Sequence, residues 1–327
     1  MGNCNGMPVP GYKDEEARGR QGGSAPASMR RTTYLALALL LLCAGCTYDA
    51  VTRPEIHGHR GCRGLLPENT VPAFLKAAEL GCDQLELDVV ITADSEVLVS
   101  HEPWMHHRIC RTPEGDSITE QQEHSFNIYR MTLAEAQAFD CGSSPHPGFP
   151  EQENSPQHKP TLREVVEAVE EKMMEDGAGG AGWNIEIKSE PALYGTFQPH
   201  PARFAELVLA EIETLGIGGR TVIQSFDPAI LEAVHRIDET MPTALLVDNT
   251  DGLEKNLERL SFTPTHYSPA FQLVDKALVK ALDTLDIQLL VWTVNDKSDI
   301  RKMIKLGVGG IITDHPDKAI RILEEEE

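Results

Sequence analysis

The sequence predicts an α/β fold: a (β/α)8 or TIM barrel, with an insertion after the second strand and its hairpin. Three observations predict it. From Glu55 onward, short apolar runs alternate with helical stretches, the pattern of parallel strands joined by crossover helices. The first run is not followed by the G-x-G-x-x-G loop that a doubly wound open sheet would want. The ends of the strand-like runs collect acids, histidines and cations, and barrel active sites lie at the C-terminal ends of strands.

Taken in order, strand 1 covers Glu55 to His59. The turn Pro67-Glu68-Asn69-Thr70 offers capping residues to a helix with Val71, Phe74, Leu75 and Ala78 on one face, stopped by Gly81. Strand 2, Gln84 to Val90, turns at Ala93-Asp94-Ser95-Glu96 into a hairpin partner, Val97 to Ser100, that ends at His101. Residues 102–158, rich in Pro, His, Glu and Gln with a weak helix around Thr132 to Phe139, read as an insertion on the barrel mouth. Thr161 and Glu164 form a capping box for a helix through Met173. Trp183 to Ile187 is the third strand. The remaining five are Thr221 to Gln224, Thr243 to Val247, Thr265 to Tyr267, Gln288 to Val294 and Gly310 to Thr313. Helical stretches lie between them, such as Ile300, Met303 and Ile304 closed by Gly307.

Composition narrows the partners. The chain has 327 residues, 41% of them apolar, enough for one sizeable core. A formal net charge of −22 argues against nucleic acid or an anionic membrane surface as a general partner, so an anionic substrate needs a local positive site. Residues 1–28 have no periodicity and read as a leader or gene-start artefact before Met29. Residues 29–46 run from Met29-Arg30-Arg31 through an apolar stretch to Leu42-Cys43-Ala44-Gly45-Cys46, the order of a signal peptide and too short for a transmembrane helix. It resembles a bacterial lipoprotein signal, which implies lipid anchoring at Cys46 on the periplasmic side of a membrane, with residues 47–327 forming the barrel domain. Cys110 and Cys141 flank a loop-rich stretch; they pair in an oxidising compartment or stay as two reduced apolar side chains.

The strand ends carry the chemistry. Glu86 and Asp88 lie on one strand face, roughly 7 Å apart at Cα, and Glu186 and Lys188 repeat the arrangement on the next strand. Three carboxylates converging in a barrel mouth repel one another unless a cation neutralises them, and an oxygen-only donor set favours a hard divalent cation, Mg²⁺ or Ca²⁺. The alternative is that they are ion-pair partners of Lys188 and Arg60. His59 and His101 are candidates for general acid and base, while Arg60 and Lys188 can hold phosphate oxygens. His57, on the same face as His59, is a decoy. His106, His107, His124, His146 and His158 lie in the insertion and read as exposed, with a second metal site as the lesser reading.

An ordered set of motifs now carries a family resemblance. It comprises His59-Arg60-Gly61, Pro67-Glu68-Asn69-Thr70, Glu86-Leu87-Asp88-Val89, Val99-Ser100-His101, Ile185-Glu186-Ile187-Lys188, Gln224-Ser225-Phe226, Trp292-Thr293-Val294-Asn295 and Thr313-Asp314-His315-Pro316. Together, from about Glu55 to the C-terminus, they resemble the glycerophosphodiester phosphodiesterases. The resemblance implies a TIM barrel that hydrolyses glycerophosphodiesters to sn-glycerol 3-phosphate and an alcohol. It further implies a divalent cation on Glu86, Asp88 and Glu186, His59 and His101 as the acid–base pair, Arg60 and Lys188 on phosphate, and Trp292 walling the glycerol side. One departure stands out: Glu102 follows the second histidine where that family usually has Asp.

Rival readings are a phospholipase C or D acting on intact lipid, a barrel isomerase or aldolase for phosphorylated sugars, and a lipid-anchored binding protein without turnover. The isomerase would not need this acid cluster, and binding alone needs no acid–base pair. The identity of the nucleophile, water or the glycerol 2-hydroxyl, is open.

Overall fold

The computed structural model describes residues 53–326. The expected leader, signal segment and Cys46 lie outside the described residues. Among the described residues there are nine strands: β1 (Glu55–Gly58), β2 (Gln84–Ile91), β3 (Val97–Val99), β4 (Gly182–Ile187), β5 (Thr221–Ser225), β6 (Thr243–Val247), β7 (His266–Pro269), β8 (Gln288–Val291) and β9 (Gly310–Thr313). All are parallel except β3, which pairs antiparallel with β2 as a hairpin arm. Strand β1 pairs with both β2 and β9, closing the eight parallel strands into a barrel.

Alternation along the strands explains the two faces. Trp183, Ile185 and Ile187 of β4 belong to the apolar layer shared with the helices, as do Leu85, Leu87 and Val89 of β2. The residues between them, Asn184 and Glu186 or Glu86 and Asp88, therefore face the interior. The covering helices are α1 (Val71–Glu79), α3 (Leu162–Glu175), α4 (Pro201–Leu215), α5 (Pro228–Ile237), α6 (Leu253–Leu257), α7 (Lys276–Leu285), α8 (Lys297–Leu306) and α9 (Pro316–Glu326), with α2 (Leu133–Gln137) in the insertion. The capping box expected at Thr161 and Glu164 opens α3, and Thr132 with Glu135 forms a second one on α2. Among the described residues no helix is long and apolar enough to cross a membrane.

Several local expectations are corrected. On helix α1 the four expected residues all pack on the core, Phe74 fully and Val71, Leu75 and Ala78 in part, but the face is wider and includes buried Ala73 and Ala77. Thr70 precedes that helix without capping it, because its hydroxyl donates to Pro67 O at 2.6 Å. Strand β1 ends at Gly58, and β8 ends at Val291, so Trp292 to Asn295 form a loop. The strand expected over Thr265 to Tyr267 is β7, shifted toward Pro269.

The insertion is not a bare loop. Met105, Ile109, Ile118, Ile128, Ala136 and Phe139 pack into a small core with Val90 and Leu98 of the β2–β3 hairpin. Cys110 and Cys141 form a disulfide inside it. His106, His107 and His146 are half-buried rather than exposed: Glu123 accepts from His107 Nδ1 at 2.6 Å and His146 packs on Phe149, whereas His124 and His158 are exposed.

Candidate active site

Register brings the acids together. Asp88 on β2 lies directly beside Glu186 on β4, with Glu86 one pleat below, and the ligand oxygens of all three lie within 4.8 Å of one another. Each carboxylate is held by a different neighbour. Glu86 accepts from Gln224 Nε2 at 2.9 Å and from the Arg60 backbone N–H at 2.8 Å. Asp88 accepts from Asn69 Nδ2 at 2.8 Å, and Glu186 from Lys188 Nζ at 2.7 Å. Two of the residues that reach in from outside the strands, Arg60 and Asn69, hold left-handed backbone, with φ of 51° and 56°. That conformation is costly for Arg, and Gly61 completes the turn where a Cβ would meet the backbone of Ala73 at 2.7 Å.

The electrostatics fit a bound cation. Burial, with Asp88 and Glu186 beside it, pushes the Glu86 carboxyl well above the usual range. Burial opposes charge on Asp88 too, but Arg60, His101 and Lys188 outweigh it and hold that carboxyl low. Asp88 Oδ1 is buried with no hydrogen-bond partner. Around the mouth, six carboxylates (Glu68, Glu86, Asp88, Glu102, Glu186, Asp314) face four cations (Arg60, Arg63, Lys159, Lys188). With all six ionised, the excess of two negative charges is what one divalent ion would cancel.

The two histidines are mounted alike. His59 Nδ1 is 2.6 Å from Asp314 Oδ1, leaving Nε2 toward the acids, 3.9 Å from Glu86 Oε2. His101 Nδ1 is 2.8 Å from Glu102 Oε1, leaving Nε2 3.1 Å from Lys188 Nζ. The Glu that departs from the usual Asp thus reaches the imidazole. Burial pushes His59 down to about 4, against the pull of Asp314, so it is neutral at pH 7. Burial likewise opposes ionisation of Asp314 and Glu102, but the histidines and nearby arginines hold both carboxyls low.

A cavity of about 140 Å³ opens among these groups, lined by every nominated residue except Asp88, which is fully buried behind it. Trp292 forms one wall, its Nε1 donating to Ser268 O at 2.8 Å. Arg60 is tied on its outer side, donating to Glu68 at 2.8 Å with its Nε 3.3 Å from Asp88.

Several participants escaped the sequence reading. Arg63 donates to Asp314 at 2.9 Å and also to Glu68 at 3.3 Å; Glu68 and Asn69 serve Arg60 and Asp88 instead of a helix cap. Lys159 is buried among Glu102, Glu68 and Asp88. His57 stays out of the cavity, as expected, but contacts it indirectly. From exposed Glu55 a polar chain runs into the barrel through buried His57 (3.3 Å), Asn184 (3.3 Å) and Gln224 (3.3 Å) to Glu86 (2.9 Å).

Comparison with known proteins agrees with the fold and identifies the family. The chain is 29% identical over 271 residues to the glycerophosphodiester phosphodiesterase of Caldanaerobacter subterraneus subsp. tengcongensis, covering 82% of this chain and 96% of that one. A Silicibacter pomeroyi structure, provisionally named glycerophosphoryl diester phosphodiesterase, superposes with a TM-score of 0.74 at 31% identity, covering 84% of this chain and 94% of that one. An Oleispira antarctica phosphodiesterase, solved with the product sn-glycerol-3-phosphate, shares the fold at 20% identity with a TM-score of 0.65, covering 83% and 97%. The sequence model of the glycerophosphoryl diester phosphodiesterase family matches residues 59–318, and the chain belongs to that family.

Proposed function

We propose that this chain hydrolyses glycerophosphodiesters to sn-glycerol 3-phosphate and an alcohol, with His59 and His101 as the acid–base pair. The observation that carries the proposal is the paired mounting of the imidazoles: each is gripped at Nδ1 by a carboxylate and turns Nε2 toward one cavity that also holds Arg60 and Lys188. His59, neutral and with its Nδ1–H donated to Asp314, has a bare Nε2 to take the proton of the attacking oxygen. His101, carrying a proton on Nε2 once Lys188 has turned to the phosphate, gives that proton to the departing alcohol oxygen, while the proton of the attacking oxygen stays on His59 until product leaves. Lys188, freed from His101 by substrate, and Arg60 hold the non-bridging phosphate oxygens, and Trp292 walls the glycerol. Glu86, Asp88 and Glu186 would hold a hard divalent cation, Mg²⁺ or Ca²⁺, which when bound supplies Lewis-acid stabilisation of phosphate charge.

The test is turnover of glycerophosphocholine by chelated protein, with each metal restored in turn, and by His59→Ala and His101→Ala. Activity should need the metal, and each variant should lose about 10²–10⁴-fold in kcat. Near-normal turnover by either variant sinks the assignment. We further propose, from the lipoprotein-like segment before Cys46, that the enzyme works anchored on the periplasmic side of a membrane. The mass of the mature N-terminus checks this, since an unmodified Cys46 excludes the anchor.

A further inference from the structure

Beside the inner cavity lies a larger one of about 370 Å³. The two share His101, Glu186, Lys188 and Phe226, whereas His59, Arg60 and Trp292 border only the inner one. The outer cavity is therefore contiguous with the side of the site where His101 stands. Its remaining wall comes from two segments: Pro103 and Trp104 of the insertion, and Glu190 and Leu193 of the loop after β4.

The segments are built against each other. Trp104 packs edge-on against Phe197 at 5.6 Å and His124 at 4.3 Å. Asn127 Nδ2 donates to Thr196 O at 2.9 Å, and Arg130 to Gly195 O at 2.9 Å. Buried Gln198 donates to Ser189 Oγ at 3.0 Å and Glu190 O at 3.1 Å, fixing the loop beside the wall.

The chemistry of this wall is apolar and acidic. Pro103, Trp104, Leu193 and Phe226 supply the apolar surface. Of the carboxylates, Glu102 is committed to His101 and Glu186 to Lys188. Glu190 is exposed, and among the described residues its carboxylate accepts no hydrogen bond and meets no cation. Aromatic rings with an unneutralised carboxylate attract a cation and repel an anion. Phe226 already holds a cation, Lys188 Nζ, 5.8 Å from its ring centroid.

We propose that the outer cavity seats the head group of the departing alcohol and selects a cationic one, an ammonium or trimethylammonium on a short carbon tether, with Trp104 and Glu190 as its specificity determinants. The proposal rests on the hydrolysis of glycerophosphodiesters proposed above.

Full-length protein supplied with the divalent cation is assayed for kcat/KM on glycerophosphocholine, glycerophosphoethanolamine, glycerophosphoglycerol and glycerophosphoinositol. The wild type should favour the two cationic diesters. The choline-to-glycerol ratio should fall about 2- to 5-fold in Glu190→Gln and about 3- to 30-fold in Trp104→Leu, with Glu190→Lys lowering it below the Gln variant. Glu190 is exposed, so the charge change reads specificity even if Trp104→Leu disturbs folding. No preference in the wild type, or an equal loss on all four diesters in Glu190→Gln, overturns the head-group assignment while leaving hydrolysis intact. No turnover of any diester overturns the hydrolysis itself and this inference with it.

Discussion

His59 Nδ1 and the Asp314 carboxylate meet at 2.6 Å across 255 residues of chain, so the residue just after the last strand of the barrel sets the proton position on a group just after the first. Asp314 is itself fixed by Arg63 at 2.9 Å and by Asn295 Nδ2 at 2.7 Å. Replacing it with Asn would keep the shape but allow the wrong tautomer. Asp314→Asn should lower kcat about 10²–10⁴-fold with a smaller change in KM. Because Asp314 works against burial in setting the His59 pKa, its loss should also move the acid limb of kcat/KM to lower pH. Steady-state kinetics across pH checks this; a purely structural defect lowers the plateau without moving the limb.

Cation uptake should release a proton. Burial and the neighbouring Asp88 and Glu186 push Glu86 well above the usual carboxylate range, so a binding ion competes with a proton there. Affinity should rise with pH, and calorimetry in buffers of different ionisation enthalpy should report the proton. Glu86→Gln should remove the release. Wild-type protein at about 100 times the dissociation constant should gain about 2.7 kcal/mol of stability.

A histidine far from the acids gives a separable pH effect on stability. His266, on β7, is pushed down to about 4, by burial first and then by His57. Between pH 4 and 6.5 the unfolded chain binds the proton that the folded chain does not, so this residue's contribution to stability rises with pH across that window. Below about 4 both states are protonated and the dependence ends. Denaturant midpoints at pH 4.5 and 7 should differ more for wild type than for His266→Gln.

The Cys110–Cys141 disulfide closes a 31-residue separation within the insertion. Loop-closure entropy for that length corresponds to about 3–4 kcal/mol. Cys110→Ser with Cys141→Ser should expose the insertion to limited proteolysis first, followed by mass spectrometry, and turnover should weaken because Glu102 and His101 sit at its root.

Much of this architecture was legible in local patterns. Buried parallel strands read as apolar runs, and a spacing of two, as in Glu86 and Asp88 or Glu186 and Lys188, shows which side chains share a face. What was hidden depends on closure. Nothing near Asp314 announces His59, and nothing near Arg63 announces Asp314, because those contacts exist only once β9 pairs with β1. The Pro67-Glu68-Asn69-Thr70 turn misled for a related reason: side chains that can cap a helix can equally reach a distant carboxylate or guanidinium. The insertion's core escaped notice because Met105, Ile118 and Phe139 follow neither a helical nor a strand period.

The polar chain from Glu55 through His57, Asn184 and Gln224 to Glu86 gives the barrel interior a grammar of its own. Each amide is oriented by the next, so an apolar replacement of Asn184 or Gln224 strands a buried neighbour without a partner. Changes there are tolerated in sets. A designer who fills this interior with leucine to harden the enzyme would be editing Glu86 from the far end of the barrel.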